Sequence, residues 1–258
     1  TFPGGRLAVA PVREADRLSI DGSGVLNGTA RGVPFASEAD TFAVLAMRDG
    51  QPVIACADAA SCRIADGLSL ADDPKDDVIF DGAATTDAVE APDAFDANSL
   101  LMMGALARSC GMAGALEAML DISVTYSQDR VAFERPISKF QAVQHNLARL
   151  AGEVAAAVCA AASAADALQR AGTFDDEVFF EIAAAKIRVG EAAGEGAGIA
   201  HQVHGAIGFT MEHILQRYSR RVWSWRDEFG SESAWAVRLG EAVAANGGDE
   251  LWARLAAR

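Results

Sequence analysis

The sequence predicts an α+β protein. A β-rich, barrel-like domain (residues 1–95) precedes an up-and-down helical bundle of the four-helix type (residues 96–258). Three observations lead to this prediction. Short apolar runs separated by turn residues fill the first part of the chain, which is typical of strands. After Asn98 the apolar residues recur at intervals of three and four, which is typical of helices. Pro136 cannot continue a helix and Gly172 can end one, so they divide the helical part.

The strands are predicted from the apolar runs TFAVLA (41–46), PVIACA (52–57) and DVIFDG (77–82). The first two are joined by MRDGQ, whose Asp49–Gly50 pair is a good hairpin signal. The sequence GSGVLNGTA adds a second turn-rich junction. This alternation of apolar runs with turn residues indicates a β-rich domain.

The helices are predicted from stripes of apolar residues. The first stripe contains Leu106, Cys110, Ala113, Leu120 and Val124, and the second Phe140, Val143, Leu147, Leu150, Val154 and Val158. Thr173, with Asp176 three residues later, resembles a capping box and predicts the start of a third helix toward His201. A fourth helix and a C-terminal fifth are expected to follow. ANGG (245–248) separates a last short amphipathic piece.

Charge and cysteine usage restrict the partners and the compartment. The formal net charge of −14 disfavours nucleic acid or an anionic membrane as the main partner. No run reaches the roughly 20 uninterrupted apolar residues of a membrane span. The cysteines, which form no CxxC pair, favour reduced thiols in a cytoplasmic protein over a disulfide or zinc framework. They are Cys56, Cys62, Cys110 and Cys159.

A carboxylate-bridged metal site is the first hypothesis that a four-helix bundle suggests. Such a site needs Glu-x-x-His pairs on two helices and two further glutamates. His201 and His204 lie three residues apart, but the sequence offers no Glu-x-x-His. We therefore expect no metal.

The segment RVAFERPISKFQAVQ (130–144) places an arginine at the end of one helix and Phe140-Gln141 at the start of the next. A guanidinium beside the first turn of a helix suits a phosphate or pyrophosphate. The alternative is C-capping by Arg130 with core packing by Phe133 and Phe140. The pattern alone favours this second interpretation.

Two segments, in register, resemble signatures of the acyl-CoA dehydrogenase family. The first resembles Arg-x-x-Phe-Gly-x-x-Ile-x-x-Phe-Gln, with Glu134 at the glycine position. Its matches are Arg130, Phe133, Ile137, Phe140 and Gln141. The second resembles Gln-x-x-Gly-Gly-x-Gly-[Phe/Tyr]-x-x-Glu, with Ala206 at the second glycine. Its matches are Gln202, Gly205, Gly208, Phe209 and Glu212. Because DGSGVLNGTARGVPFASEADTFAVLA also resembles the family's middle β-domain, the resemblance covers essentially the whole chain.

The resemblance implies a flavoprotein with FAD between the β-domain and the helical bundle, partly across a subunit interface. It implies that Arg130 contacts the FAD pyrophosphate of the neighbouring subunit and that Gln141 helps to hold the cofactor. Gln202 and the bend from Gly205 to Gly208 would approach the adenosine and diphosphate end, since glycine lets the backbone come close to a dinucleotide.

Further cofactor-binding residues follow from the same resemblance. Phe133 and Val203 lie within the two signature segments, and Ser231 stands at the position of a family threonine. Because the FAD site is shared, the expected assembly is a homodimer or a dimer of dimers, with a heteromeric assembly as the alternative.

The resemblance also implies oxidation of an acyl-CoA to the 2,3-enoyl-CoA, with electrons passed to an electron-transfer flavoprotein. A carboxylate base must then lie against the thioester in a dry pocket. The family's Glu-Gly-Thr run corresponds to Phe229-Gly230-Ser231, and its alternative glutamate corresponds to Gly104. Three explanations stay open. Glu228 serves as the base through a one-residue shift, a carboxylate elsewhere serves, or the chain is a non-catalytic FAD-scaffold subunit of a heteromeric dehydrogenase.

The family has an N-terminal helical domain and a Thr-Glu-x-x-x-Gly-Ser-Asp run, and neither is present in these 258 residues. We expect either that the chain is a fragment of a longer product or that another polypeptide supplies the rest. The chain alone is then expected to bind FAD weakly or not at all.

Overall fold

The structure, a computed structural model, describes residues 4–256, apart from the side chains of residues 250 and 254. It is an α+β fold with an N-terminal sheet region and a helical C-terminal part, as the sequence predicts. The chain divides into two compact units, Thr1–Gly104 and Ala105–Arg258, and the boundary between them lies inside the first helix.

The sheet of the first unit closes on itself. Strand β4 pairs with β2 and β5, β5 pairs with β7, β7 pairs with β3, and β3 pairs with β2. This ring of five strands is the expected barrel-like arrangement, with β1 added along β4 and β6 along β7. The strands are β1 Leu7–Ala10, β2 Leu18–Ile20, β3 Val25–Pro34, β4 Thr41–Arg48, β5 Gln51–Asp58, β6 Arg63–Ala65 and β7 Lys75–Glu90.

The predicted hairpin between β4 and β5 is confirmed. Arg48 pairs with Gln51, so the turn consists of Asp49 and Gly50 alone. Their φ angles are 51° and 82°, and two positive values define the turn type whose twist matches the flanking strands. Alternate residues of both strands are buried, and Phe42 of β4 meets Phe80 of β7 edge to face at 6.0 Å.

Six α-helices form most of the rest of the described chain. They are α1 Ala97–Asp129, α2 Gln141–Ala171, α3 Asp176–His204, α4 Leu215–Arg226, α5 Glu232–Asn246 and α6 Gly248–Ala256. The first four contribute to one apolar core, which agrees with a bundle of the four-helix type. This core includes Met112, Leu116, Met119, Leu150, Val154, Val189, Leu215 and Val222.

The ends of α2 illustrate local control by single residues. Pro136 lies in a small hairpin of β8 (Val131–Ala132) and β9 (Arg135–Pro136), which forms the predicted turn between α1 and α2. At the other end, Gly172 caps α2 with φ 67°, and its N–H donates to the carbonyl of Leu168. Glycine adopts this left-handed conformation at little cost, so the predicted helix end is confirmed.

The predicted start of α3 is wrong by two residues. The N-cap is Asp175, whose carboxylate accepts hydrogen bonds from the N–H groups of Glu177 and Val178. Thr173 lies outside the helix. Both residue types cap helices well, and an aspartate at 175 also places a negative charge at the positive end of the helix dipole.

Helices α1 and α2 are long and apolar enough, by length and composition, to cross a membrane. Of the apolar window in α1, 61% is buried inside the protein, against 28% in α2. Length and composition alone are weak evidence, because core helices of globular proteins share both properties.

Candidate functional site

A glycine elbow ends α3 and carries the second signature. Gly205 has φ 64° and ψ −147°, a backbone conformation essentially restricted to glycine. Its N–H donates to the carbonyl of His201 and so closes the last turn of α3. The chain continues as a 3-10 turn, Gly205–Phe209, before α4. Among the described residues, no heavy atom outside residues 204–206 lies within 4 Å of the place where a Cβ of residue 205 would stand, so this side of the elbow is open.

Gly208 is a glycine for a different reason. It is buried, and a Cβ there would lie 3.0 Å from Cβ of His204 and 3.1 Å from both Nδ1 of His201 and Cδ2 of Leu215. A side chain at 208 would therefore crowd its neighbours within the chain itself. Gly205, by contrast, leaves backbone accessible from outside.

The elbow histidines are packed into the protein. Nε2 of His201 forms a hydrogen bond with Oγ of Ser219 (2.8 Å), and its ring stacks on Phe209 at 4.0 Å. Nδ1 of His204 donates to the carbonyl of Ala200 (2.8 Å), and its ring stacks on Tyr126 of α1 at 4.3 Å. Burial lowers the pKa of both imidazoles, so they are neutral near pH 7.

The first signature lies next to the second. Oη of Tyr126 donates to the carbonyl of His204 (3.3 Å), which ties the end of α1 to the elbow. One turn later the N–H of Arg130 donates to the carbonyl of Tyr126 (2.9 Å). Arg130 is therefore at the same end of the helical unit as Gly205.

The predicted polar ligands of a cofactor are available there. Arg130, Gln141 at the first residue of α2, and Gln202 in α3 are all exposed. Within residues 4–256, none of these three side chains takes part in a hydrogen bond or ion pair. Exposed donors without internal partners suit an anionic, hydrogen-bonding ligand.

The remaining predicted cofactor-binding residues differ in exposure. Phe133 is 89% exposed at the tip of the β8–β9 hairpin, 6.1 Å from the ring of Phe140. Val203 is buried in α3. Ser231 is the N-cap of α5, where its Oγ accepts a hydrogen bond from the N–H of Ala234 (3.3 Å).

A cleft of about 380 Å³ runs along α1 beside the elbow. Two carboxylates line it, which makes it unfavourable for a phosphate. The lining residues are Asp121, Ile122, Thr125, Tyr126, Asp129 and His213.

The predicted base, Glu228, lies in the turn between α4 and α5. Its side chain is only 3% exposed, and Oε2 lies 2.5 Å from Nε of Arg108 in α1. The Arg108 guanidinium also lies over the Trp225 ring, 5.2 Å from its centroid. Phe229, at the family's glutamate position, has φ 54° and is half-buried. Gly104, at the alternative glutamate position, is buried one helical turn before Arg108.

Two charged residues of this region, Arg108 and Lys186, were not predicted from the sequence. Lys186 is fully buried in α3, and its Nζ donates to the carbonyls of Arg226 (2.6 Å) and Gly230 (2.8 Å). The available signal was a lone lysine in the apolar run IAAAKI. The described residues contain no group of three or more His, Cys, Asp or Glu side chains arranged to hold a metal ion.

Comparison with known proteins places these features in a family. A family model described as "Acyl-CoA dehydrogenase, C-terminal domain" matches residues 96–232, which is more than half of the chain. The acyl-CoA dehydrogenase IpdE2 of Mycolicibacterium smegmatis is 35% identical over 127 residues, covering 49% of this chain and 38% of that protein. The glutaryl-CoA dehydrogenase of Desulfococcus multivorans is 34% identical over 115 residues, 45% of this chain and 29% of that protein.

Among solved structures, the ChsE4–ChsE5 complex from Mycobacterium tuberculosis contains a similar chain. The TM-score is 0.76 and the sequence identity 25%, with 93% of this chain and 66% of that chain covered. The present chain thus spans well under half the length of the curated relatives that it matches, and about two thirds of this solved chain.

Proposed function

The chain belongs to the acyl-CoA dehydrogenase family, and we propose that it serves the FAD-dependent oxidation of an acyl-CoA thioester to the 2,3-enoyl-CoA. The family relationship implies a flavin cofactor in general, and FAD is our specific proposal. One observation carries it: exposed donors without internal partners lie at the same end of the helical unit as the open elbow. Arg130 and Gly205 are the two residues that define this place.

These residues suit the group that the family relationship implies. The guanidinium of Arg130 offers two parallel N–H donors to a diphosphate, and the exposed backbone at Gly205 accepts close approach. Gln141 and Gln202 can donate to or accept from the remaining polar atoms. FAD, when bound, supplies the acceptor for the β-hydride of the substrate. As the family resemblance implies, the cofactor would be shared between protomers of a dimer or a dimer of dimers, and an electron-transfer flavoprotein would accept the electrons.

The residue proposed to remove the α-proton is Glu228. A carboxylate in a dry environment can take a weakly acidic proton from a thioester that lies against it. In the present arrangement Oε2 of Glu228 is occupied by Arg108, so this ion pair has to open before the oxygen accepts a proton. The proposal therefore includes a rearrangement of Arg108 when the substrate binds.

The ion pair also favours a second candidate function. A carboxylate that is buried and held by a guanidinium has the features of a structural group. Neither family position for the base carries a glutamate, since Phe229 and Gly104 stand there. The second proposal is accordingly a non-catalytic FAD-scaffold subunit in a heteromeric dehydrogenase whose partner supplies the base.

One experiment separates the two candidates. The product of the complete natural coding region is purified, its flavin content is measured, and acyl-CoAs of several lengths are added while flavin absorbance is followed. Bleaching in the wild type that is lost in Glu228→Gln supports the enzyme. Asp227→Asn, which changes the exposed neighbouring carboxylate, is the matched control and should bleach normally. Bound flavin that no acyl-CoA bleaches until a partner chain is added supports the scaffold, and absence of bound flavin contradicts both.

A further inference from the structure

The turn between α4 and α5 is held by side-chain donors from two helices. Nζ of Lys186, in α3, donates to the carbonyls of Arg226 and Gly230 at 2.6 and 2.8 Å. Nε1 of Trp235, in α5, donates to the carbonyl of Phe229 at 2.8 Å. Three carbonyls within five residues thus point at donors outside the turn. Such a turn is fixed from both sides.

The backbone of the same turn has an unusual conformation. Phe229 has φ 54° and Gly230 has φ 93°, both in the positive region. A side chain at 230 would collide with Trp235, since its Cβ would lie 2.7 Å from Nε1. A non-glycine residue at positive φ is strained, so this conformation persists only because the surroundings hold it.

Charge alone does not explain why a lysine occupies this buried position. Burial lowers the pKa of Lys186 to about 8, and the carboxylates of Glu232, Asp227 and Glu228 oppose this effect. A neutral, apolar side chain at 186 would avoid the cost of burying a charge. It would also leave the carbonyls of Arg226 and Gly230 without their donor. The hydrogen bonds to the turn are what the lysine supplies.

We propose that Lys186 is a positioning residue that clamps the turn from Arg226 to Gly230 onto α3 and thereby fixes the orientation of Glu228 and Ser231. The clamp grips the backbone on both sides of Glu228, at residues 226 and 230. Ser231, which caps α5, follows directly. The expected effect of Lys186 on turnover rests on the proposed function. The hydrogen bonds that Lys186 donates to the turn do not depend on it.

The test uses the full-length protein with its bound flavin and the variant Lys186→Met. The matched control is Val189→Ala, which creates a cavity in the same helix. Val189 is fully buried and its side chain makes no hydrogen bond to the turn. Amide hydrogen exchange is measured for residues 227–231. We expect Lys186→Met to speed exchange in this segment by about tenfold or more relative to the control, the equivalent of losing one hydrogen bond to a charged donor.

Steady-state kinetics add a measurement, the separate change of kcat and KM, that a general loss of stability would not alter. Lys186→Met should lower kcat at nearly unchanged KM, since the clamp acts on the placement of Glu228. Exchange in 227–231 no faster than in Val189→Ala overturns the clamp. If exchange is faster in Lys186→Met but the wild-type protein shows no turnover, the clamp is supported. Only the enzymatic proposal is then contradicted. If Lys186→Met does not fold, Lys186→Gln, too short to reach both carbonyls, is measured instead with the same expectations.

Discussion

Nε of Arg108 and Oε2 of Glu228 lie 2.5 Å apart and join the first long helix to the turn after α4. The carboxylate is almost completely buried and the guanidinium is 23% exposed. Breaking a buried ion pair from one side costs more when the charge that remains is the more deeply buried one. The two partners should therefore contribute unequally.

We predict that Arg108→Leu lowers the free energy of unfolding by about 3 kcal/mol, because it removes the guanidinium that lies 2.5 Å from the buried carboxylate. Glu228→Leu should cost about 1–2 kcal/mol, because the remaining guanidinium still reaches water. The double variant should be more stable than Arg108→Leu alone. Urea unfolding of the four proteins gives the coupling energy.

The exposed ion pair of Arg149 and Glu195 is the control for this cycle. Both of its side chains are at least half exposed, and such pairs couple by only about 0.5 kcal/mol. An Arg108–Glu228 coupling as small as the Arg149–Glu195 coupling would show that the first pair is solvated in solution. Opening of this ion pair would then not be needed before Glu228 acts as a base.

Local features of this protein can be predicted from the sequence more reliably than the surroundings of the candidate site. Asp49–Gly50 and Gly172 were predicted correctly because their positive φ angles are a property of those residues alone. Arg108 is more than one hundred residues from Glu228, and the carbonyls that Lys186 binds are 40 and 44 residues away. No local pattern encodes such pairings, since only the packing of three helices brings them together.

The N-cap of α3 shows that sequence-based prediction can also fail between residues only two positions apart. Thr173 and Asp175 both have side chains that cap helices, and the structure selects Asp175. We predict that Asp175→Ala lowers the free energy of unfolding by about 1 kcal/mol and that Thr173→Ala changes it by much less. Thermal unfolding of the two variants measures the difference. Equal losses would mean that the helix starts earlier in solution than at Asp176.

Glu134 occupies the second position of the β8–β9 turn with φ 63°, after Phe133 with φ 52°. A two-residue turn with both angles positive favours glycine at its second position. We predict that Glu134→Gly raises the free energy of unfolding by about 1 kcal/mol, through relief of left-handed strain. Glu134→Ala keeps a Cβ and removes only the carboxylate, so it should give no such gain. If alanine stabilises the protein as much as glycine does, charge and not backbone strain is the cause.

Gly205 and Gly172 form a natural pair for testing the elbow. Both have positive φ, and at neither residue does an atom of the described chain, apart from the glycine and its immediate neighbours, lie within 4 Å of the place that a Cβ would take. Gly172→Ala should cost about 1 kcal/mol, while Gly205→Ala should cost up to about 3 kcal/mol, because its ψ of −147° excludes alanine more strongly. Under the proposed function only Gly205→Ala should also lower the flavin content of the purified full-length protein. Equal flavin loss in both variants would indicate a general effect of reduced stability.

The buried imidazoles of His201 and His204 predict how stability depends on pH. Burial lowers the pKa of both below the ordinary value near 6.5, so the folded protein binds fewer protons than the unfolded chain in mildly acidic solution. Their contribution to the free energy of unfolding is then complete above pH 6.5 and falls as the pH drops below it. His204→Phe keeps the aromatic stacking on Tyr126 and removes one titrating group, so its loss of stability between about pH 7 and pH 5 should be smaller than in the wild type.

A second variant tests the same prediction at the other buried ring, with urea unfolding at a series of pH values as the measurement. His201→Phe, which retains a ring against Phe209, should flatten the slope in the same direction as His204→Phe. If neither buried substitution changes the slope, the two rings take up protons as readily in the folded protein as in the unfolded chain, and the elbow must then be open to water around them.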